Sequence, residues 1–118
     1  MEMPGWMASM MLRMGMLAEI TVVGRKSGLE RTAMINKKVM VDGSVLVAAG
    51  GEEHQWARNL RAAGRCRLTI KGQTAEYTAA ELDGDERLSA AKSLAPPFAD
   101  PAKSVAGPVF RLTPAEPQ

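Results

Sequence analysis

One cysteine and one histidine are all that this 118-residue chain has of the side chains most used for soft-metal binding and nucleophilic chemistry. Cys66 cannot close an internal disulfide, so nothing asks for an oxidising compartment and the cytoplasm is the expected location. A Cys/His metal cage cannot be built within the chain, and neither H-E-x-x-H nor C-x-x-C spacing occurs. No metal is expected. Cys66 reads as a buried strand residue, because no His or Asn constellation surrounds it in sequence. His54 has no G-x-S-x-G elbow to serve and is expected on the surface near a helix start. Aromatic residues make up only 4% of the chain, too few for the stacking platforms of a nucleic-acid binder, so no nucleic acid is expected as partner. Internal repeats, low-complexity segments and a regular strand–helix alternation are also missing.

Long apolar runs are missing too. The Met-rich start, MEMPGWMASMMLRMGMLAEI, is interrupted by Glu2, Arg13 and Glu19 and lacks a small-residue cleavage site, which argues against a signal peptide and a membrane span. Trp6, Met10, Arg13, Met14 and Leu17 follow helical spacing, so an N-terminal helix over 1–17 is expected. It covers the core in the plainer reading. A wall against a hydrophobic substrate, a dimer partner or a membrane surface is the alternative, which would make the protein membrane-associated.

What is present suits one small globular domain: 46% hydrophobic and 24% charged residues, enough for a single modest core. The β-branched run Ile20–Val23 ends at Gly24 as a strand entering a turn. A second strand is expected from Arg31 to Val41, and Asp42-Gly43 between apolar runs signals a hairpin. Cys66 to Ala80 reads as a second hairpin turning at Lys71-Gly72. Between them, HQWARNLRAAG places Trp56, Leu60 and Ala63 on one helical face, with Gly64 as C-cap. Asp83 and Glu86 resemble a capping arrangement for a helix over Asp85–Leu94, stopped by Pro96-Pro97. GPVFRLTP supplies a last strand, and the tail from 114 to 118 is expected to fray. This order points to an α+β protein around an antiparallel sheet or small barrel.

The net charge of +2 is unevenly spread. From Arg25 through Lys71 ten Lys/Arg residues face Glu30, Asp42, Glu52 and Glu53, a balance of +6, while five cations against nine acids leave the remainder at −4. That middle segment suits an anionic ligand. Within it, VVGRKSGLERTAMI sets Arg25, Lys26, Ser27 and Gly28 on a turn that is neither G-x-x-x-x-G-K-[ST] nor G-x-G-x-x-G. Such a turn can hold a phosphate through Lys26, the Ser27 hydroxyl and backbone N–H groups. With standard catalytic groups missing, a bound cofactor is the expected source of any difficult chemistry.

The GRKSG turn, a strand ending VLVAAGG and QWARNLRAAG, in this order and spacing, resemble the deazaflavin-dependent nitroreductase family over roughly residues 18–112. The resemblance implies a split β-barrel, residues 18–113, that binds coenzyme F-420, an 8-hydroxy-5-deazaflavin with a phosphodiester and an oligoglutamate tail. It also implies hydride transfer from the reduced coenzyme to an electron-poor, hydrophobic acceptor such as a quinone, nitroaromatic or enone, by a monomer or a homodimer. By the same resemblance Lys26 and Ser27 lie at the phosphodiester, beside Gly28, with Arg25 and Arg31 close to the phosphate or acidic tail. Thr32, Ala33 and Met34 would run beside the ring system, and Ala48, Ala49, Gly50 and Gly51 would let backbone approach it. Trp56, Asn59 and Leu60 belong to the matching helix; as plain helix residues Trp56 would be a core anchor and Asn59 a surface amide. Departures from the family pattern are Ala33-Met34 in place of Asn-Pro and no tyrosine after Tyr77. A non-catalytic carrier of deazaflavin or lipid, and a split-barrel oxidoreductase using FMN, are the alternatives.

Overall fold

Alternate residues of Leu17–Val23 (β1) are apolar and buried, Ala18, Ile20 and Val22, which is the signature of a strand with one face on a core. In the computed structural model, which describes residues 5, 6, 10, 17–49, 54–94 and 107–115, β1 starts a closed antiparallel barrel. The other strands are Glu30–Val39 (β2), Val45–Ala48 (β3), Arg65–Ile70 (β4), Gln73–Glu81 (β5) and Val109–Pro114 (β6). Their order around the barrel is β1-β2-β3-β6-β5-β4, with β4 returning to β1. Closure removes the free edges that an open sheet of this size would expose. The expected α+β architecture is present.

Two helices sit on this barrel in different ways. Gln55–Ala63 (α1) places Trp56, Ala57 and Leu60 in the same core as Ile20, Val47, Leu68 and Phe110, so it plugs the barrel. Trp56 and Phe110 meet with ring centroids 6.3 Å apart and planes tilted by 52°. Gly84–Leu94 (α2) lies outside, its Ala90, Ala91 and Leu94 against Leu46, Leu82 and Val109. Strand β3 is therefore buried on both faces, and its apolar run does not alternate.

Several boundaries differ from the sequence expectation. β1 begins at Leu17, where the N-terminal helix was expected to end. Most of that helix lies outside the described residues; Gly5, Trp6 and Met10 are helical, with both large side chains exposed. β2 stops at Val39, and residues 40–44 form a loop in which Ser44 donates its N–H and hydroxyl to Asp42 at 2.9 and 2.6 Å. Those two bonds hold the Asp42 carboxyl below the usual carboxylate range. The Lys71-Gly72 turn stands as expected, both residues having left-handed φ of 51° and 79°. α2 starts one residue early, at Gly84. Pro114 belongs to β6 and Ala115 donates its N–H to Glu76 at 2.9 Å, so the ladder runs into the expected tail. Pro96-Pro97 lie outside the described residues. Ala63 is exposed; the buried face of α1 is Trp56, Ala57, Asn59 and Leu60. No helix among the described residues is long and apolar enough to cross a membrane.

Leu60→Ala should lower unfolding free energy by about 2–5 kcal/mol, the range for a truncated core leucine, whereas Ala63→Ser should stay within about 0.5 kcal/mol. Urea unfolding with an unchanged slope measures both. Equal effects would mean that α1 does not plug the barrel.

Candidate functional site

The β1–β2 turn is built before any ligand is considered. Gly24 donates its N–H to Leu29 O at 2.7 Å, Gly28 donates to Gly24 O at 2.9 Å, and Leu29 donates to Ser27 Oγ at 3.2 Å. A Cβ on Gly24 would come within 2.8 Å of Ser27 Oγ and 3.2 Å of Leu29 O, so a larger residue there would have to push the Ser27 hydroxyl aside. The N–H of Arg25 is also taken, donated to Asn59 Oδ1 at 3.1 Å. Among the described residues the N–H groups of Lys26 and Ser27 have no such partner. Adjacent free N–H groups on a turn form an anion-binding concavity.

Helix α1 supplies the opposite wall. Its first and second turns bring Gln55 and Asn59, four residues apart and so on one face, toward the β1–β2 turn. Arg25 Nη1 donates to Gln55 Oε1 at 3.0 Å and to Asn59 Oδ1 at 2.7 Å. Asn59 is only 5% exposed, and these bonds satisfy its Oδ1. Between the walls lies a cleft of about 540 Å³ whose edges are the turn, β2 from Arg31 to Ala33, and Gln55, Trp56 and Asn59 of α1. That volume is in the range of small-molecule and cofactor sites.

The expected site residues divide between cleft and core. Arg25, Lys26, Ser27, Arg31, Thr32, Ala33, Trp56 and Asn59 line the cleft. Arg31 and Ala33 stand opposite Val22 and Ile20, on the inward face of β2. The period of two puts Thr32 and Met34 on the outward face, where the Thr32 and Thr21 hydroxyls meet at 2.9 Å; Thr32 reaches the cleft from there, while exposed Met34 does not line it. Gly28 is also off the lining. Ala48 packs beside the α2 cluster and Ala49 lies in the barrel core, where it continues the ladder to Gly107 and Pro108. Leu60 is wholly buried as part of the plug. Gly50 and Gly51 lie outside the described residues. Asn59 is not the surface amide that its helix position allowed. Gln55 and Gly24 were missed; the i, i+4 amide pair was the legible signal for Gln55.

Basic residues of the middle segment are partly neutralised by acids distant in sequence. Arg61 grips Glu81 through two bonds of 2.7 and 2.9 Å and holds its carboxyl below the usual range, and Arg67 pairs with Glu30 across β1. Lys26 and Arg31 carry no ion pair among the described residues. The remaining candidates for chemistry stand elsewhere. His54 is exposed at the N-cap of α1, Tyr77 packs half-buried against the barrel core, and Cys66 is buried, which pushes its thiol up to about 11.

A family model described as F420H(2)-dependent quinone reductase matches residues 5–102. Among solved structures, an F420-H2 dependent reductase is 25% identical, with a TM-score of 0.63 over 82% of this chain and 93% of its own. A protein solved as a domain-swapped dimer is 23% identical, with a TM-score of 0.62 over 88% of this chain and 92% of its own. The haem storage protein HutZ of Vibrio cholerae is 15% identical, with a TM-score of 0.70 over 92% of this chain and 89% of its own. At such identities the last two likenesses show the split-barrel fold alone. No curated protein matches the chain significantly.

A buried, protonated thiol is a poor nucleophile, so native Cys66 should react with a disulfide reagent at least about tenfold more slowly than in the urea-unfolded chain. Cys66→Ala should leave ligand binding in the cleft unchanged. Rapid native labelling would place Cys66 nearer the surface.

Proposed function

The chain belongs to the F420H(2)-dependent quinone reductase family, oxidoreductases whose cofactor is coenzyme F-420, and from that premise we propose how this cleft serves the reaction. The GRKSG turn takes the phosphodiester of the coenzyme, and an apolar, electron-poor acceptor such as a quinone is reduced beside Ala33 and Trp56. One observation carries the reading: the N–H groups of Gly24, Arg25, Gly28 and Leu29 are taken within the protein while those of Lys26 and Ser27 are not, beside a cleft that Lys26 and Arg31 line with no ion pair among the described residues. Donors of this kind fit a phosphate and its negative charge. The small side chain of Ala33 and the indole of Trp56 fit a flat apolar group.

When bound, the reduced deazaflavin supplies a hydride. The protein's own share is binding, orientation and exclusion of water. Lys26, Ser27 and Arg31 hold the anionic end, and the α1 wall limits the poses open to the acceptor. Reduction of the acceptor requires a proton as well as a hydride. No imidazole, phenol or thiol lines the cleft among the described residues, which supports a reading in which solvent delivers the proton.

Lys26→Ala should weaken coenzyme binding by roughly 1.5–3 kcal/mol, the range for a hydrogen bond to a charged group, and binding to wild type should weaken as salt is raised. Fluorescence titration at matched ionic strength measures both. Equal affinities for the two proteins would remove Lys26 from the site.

His54→Ala and Tyr77→Phe should each keep turnover within about tenfold of wild type, because a positioned general acid contributes about 10²–10⁴-fold. A drop of two orders of magnitude in either variant, with coenzyme affinity retained, would expose a side-chain proton donor.

A further inference from the structure

We propose that Asn59 is a positioning residue: its one buried carbonyl oxygen ties the backbone and the guanidinium of Arg25 to α1, and so presents the N–H groups of Lys26 and Ser27 to the ligand. The proposal rests on the reading of the cleft as the coenzyme site and deepens it. Among the described residues only Ser44 and Asn59 are buried polar side chains, and Ser44 is occupied within its own loop. Asn59 Oδ1 spends both acceptor positions on one residue, at 3.1 Å to Arg25 N and 2.7 Å to Arg25 Nη1. Gln55 Oε1 takes a further hydrogen of the same Nη1 at 3.0 Å. Arg25 is thereby oriented toward the helix amides, and the direct anion contacts fall to Lys26, Ser27 and Arg31.

An amide suits this post better than a carboxylate. Aspartate could accept the same two bonds, yet its charge would offset that of Arg25 within a Debye length of the bound anion, about 8 Å at physiological salt. The neutral oxygen fixes Arg25 and leaves its positive charge acting on the cleft. Asn59 touches the turn through Arg25 and has no need to touch the reacting atoms.

Three proteins decide the matter: wild type, Asn59→Ala and Asn59→Asp. Amide hydrogen exchange without coenzyme reads the tie itself. In Asn59→Ala the Arg25 amide should exchange about tenfold faster or more, while the amides of Ile20 and Val22 in β1 keep their protection. In Asn59→Asp the Arg25 amide should stay slow, since both acceptor positions survive. Coenzyme titration then reads the consequence: both variants should bind about tenfold more weakly, the equivalent of one hydrogen bond or one local charge, with kcat at saturating coenzyme within about threefold of wild type. Unchanged affinity in Asn59→Ala would overturn the proposal, as would faster exchange spread equally to Ile20 and Val22. Failure of wild type to bind the coenzyme would instead overturn the reading of the cleft, while exchange at Arg25 would still decide whether Asn59 holds the turn.

Discussion

The contact between α1 and the β1–β2 turn is the constraint on which the site depends. Nine residues of helix supply both the apolar plug of the barrel, through Trp56, Ala57 and Leu60, and the polar tie to Arg25, through Asn59. These two functions share one helical face, so the helix cannot rotate to improve one without losing the other. A buried amide without partners would cost about 1–3 kcal/mol, whereas a satisfied one specifies a single seat for the helix against the turn. The packing that fills the core and the bond that fixes the turn therefore come from one helix in one orientation.

The charge distribution acquires meaning only after folding. A segment balance of +6 suggested a broad basic surface, but Arg61 and Arg67 are matched by Glu81 and Glu30. Exposed pairs of this kind contribute little to stability, typically under about 1 kcal/mol, although they remove two cations from the field that a ligand feels. At the turn, Lys26 and Arg31 have no ion pair among the described residues and Arg25 is held by neutral amides, so these three charges stay unneutralised beside the cleft.

Much of this was legible in the sequence because it depended on local chemistry. A β-branched run ending at Gly24 marked β1, Lys71-Gly72 marked a hairpin, and Gly64 closed α1 with its N–H 2.8 Å from Leu60 O. The GRKSG turn and the helix carrying Trp56 and Asn59 were singled out, and they converge on one cleft. What failed was information held by partners distant in the chain. Helical periodicity put Ala63 on the buried face, but the barrel mouth accepts Asn59 there because Arg25, 34 residues away, satisfies it. Likewise Met34 sits on a strand that lines the cleft, and only the register against β1 shows that its side chain faces away.

The layering explains why the cleft opens where it does. β3 and β6 are enclosed between the barrel core and α2, with Leu46 and Val109 turned outward onto Ala90, Ala91 and Leu94. On the other side β1 and β2 lead into a turn that is tight at Gly24, facing a helix whose first and second turns present amides. A turn with unpaired donors facing two amides and an indole, with no imidazole, phenol or thiol lining the cleft among the described residues, is built to orient what it binds.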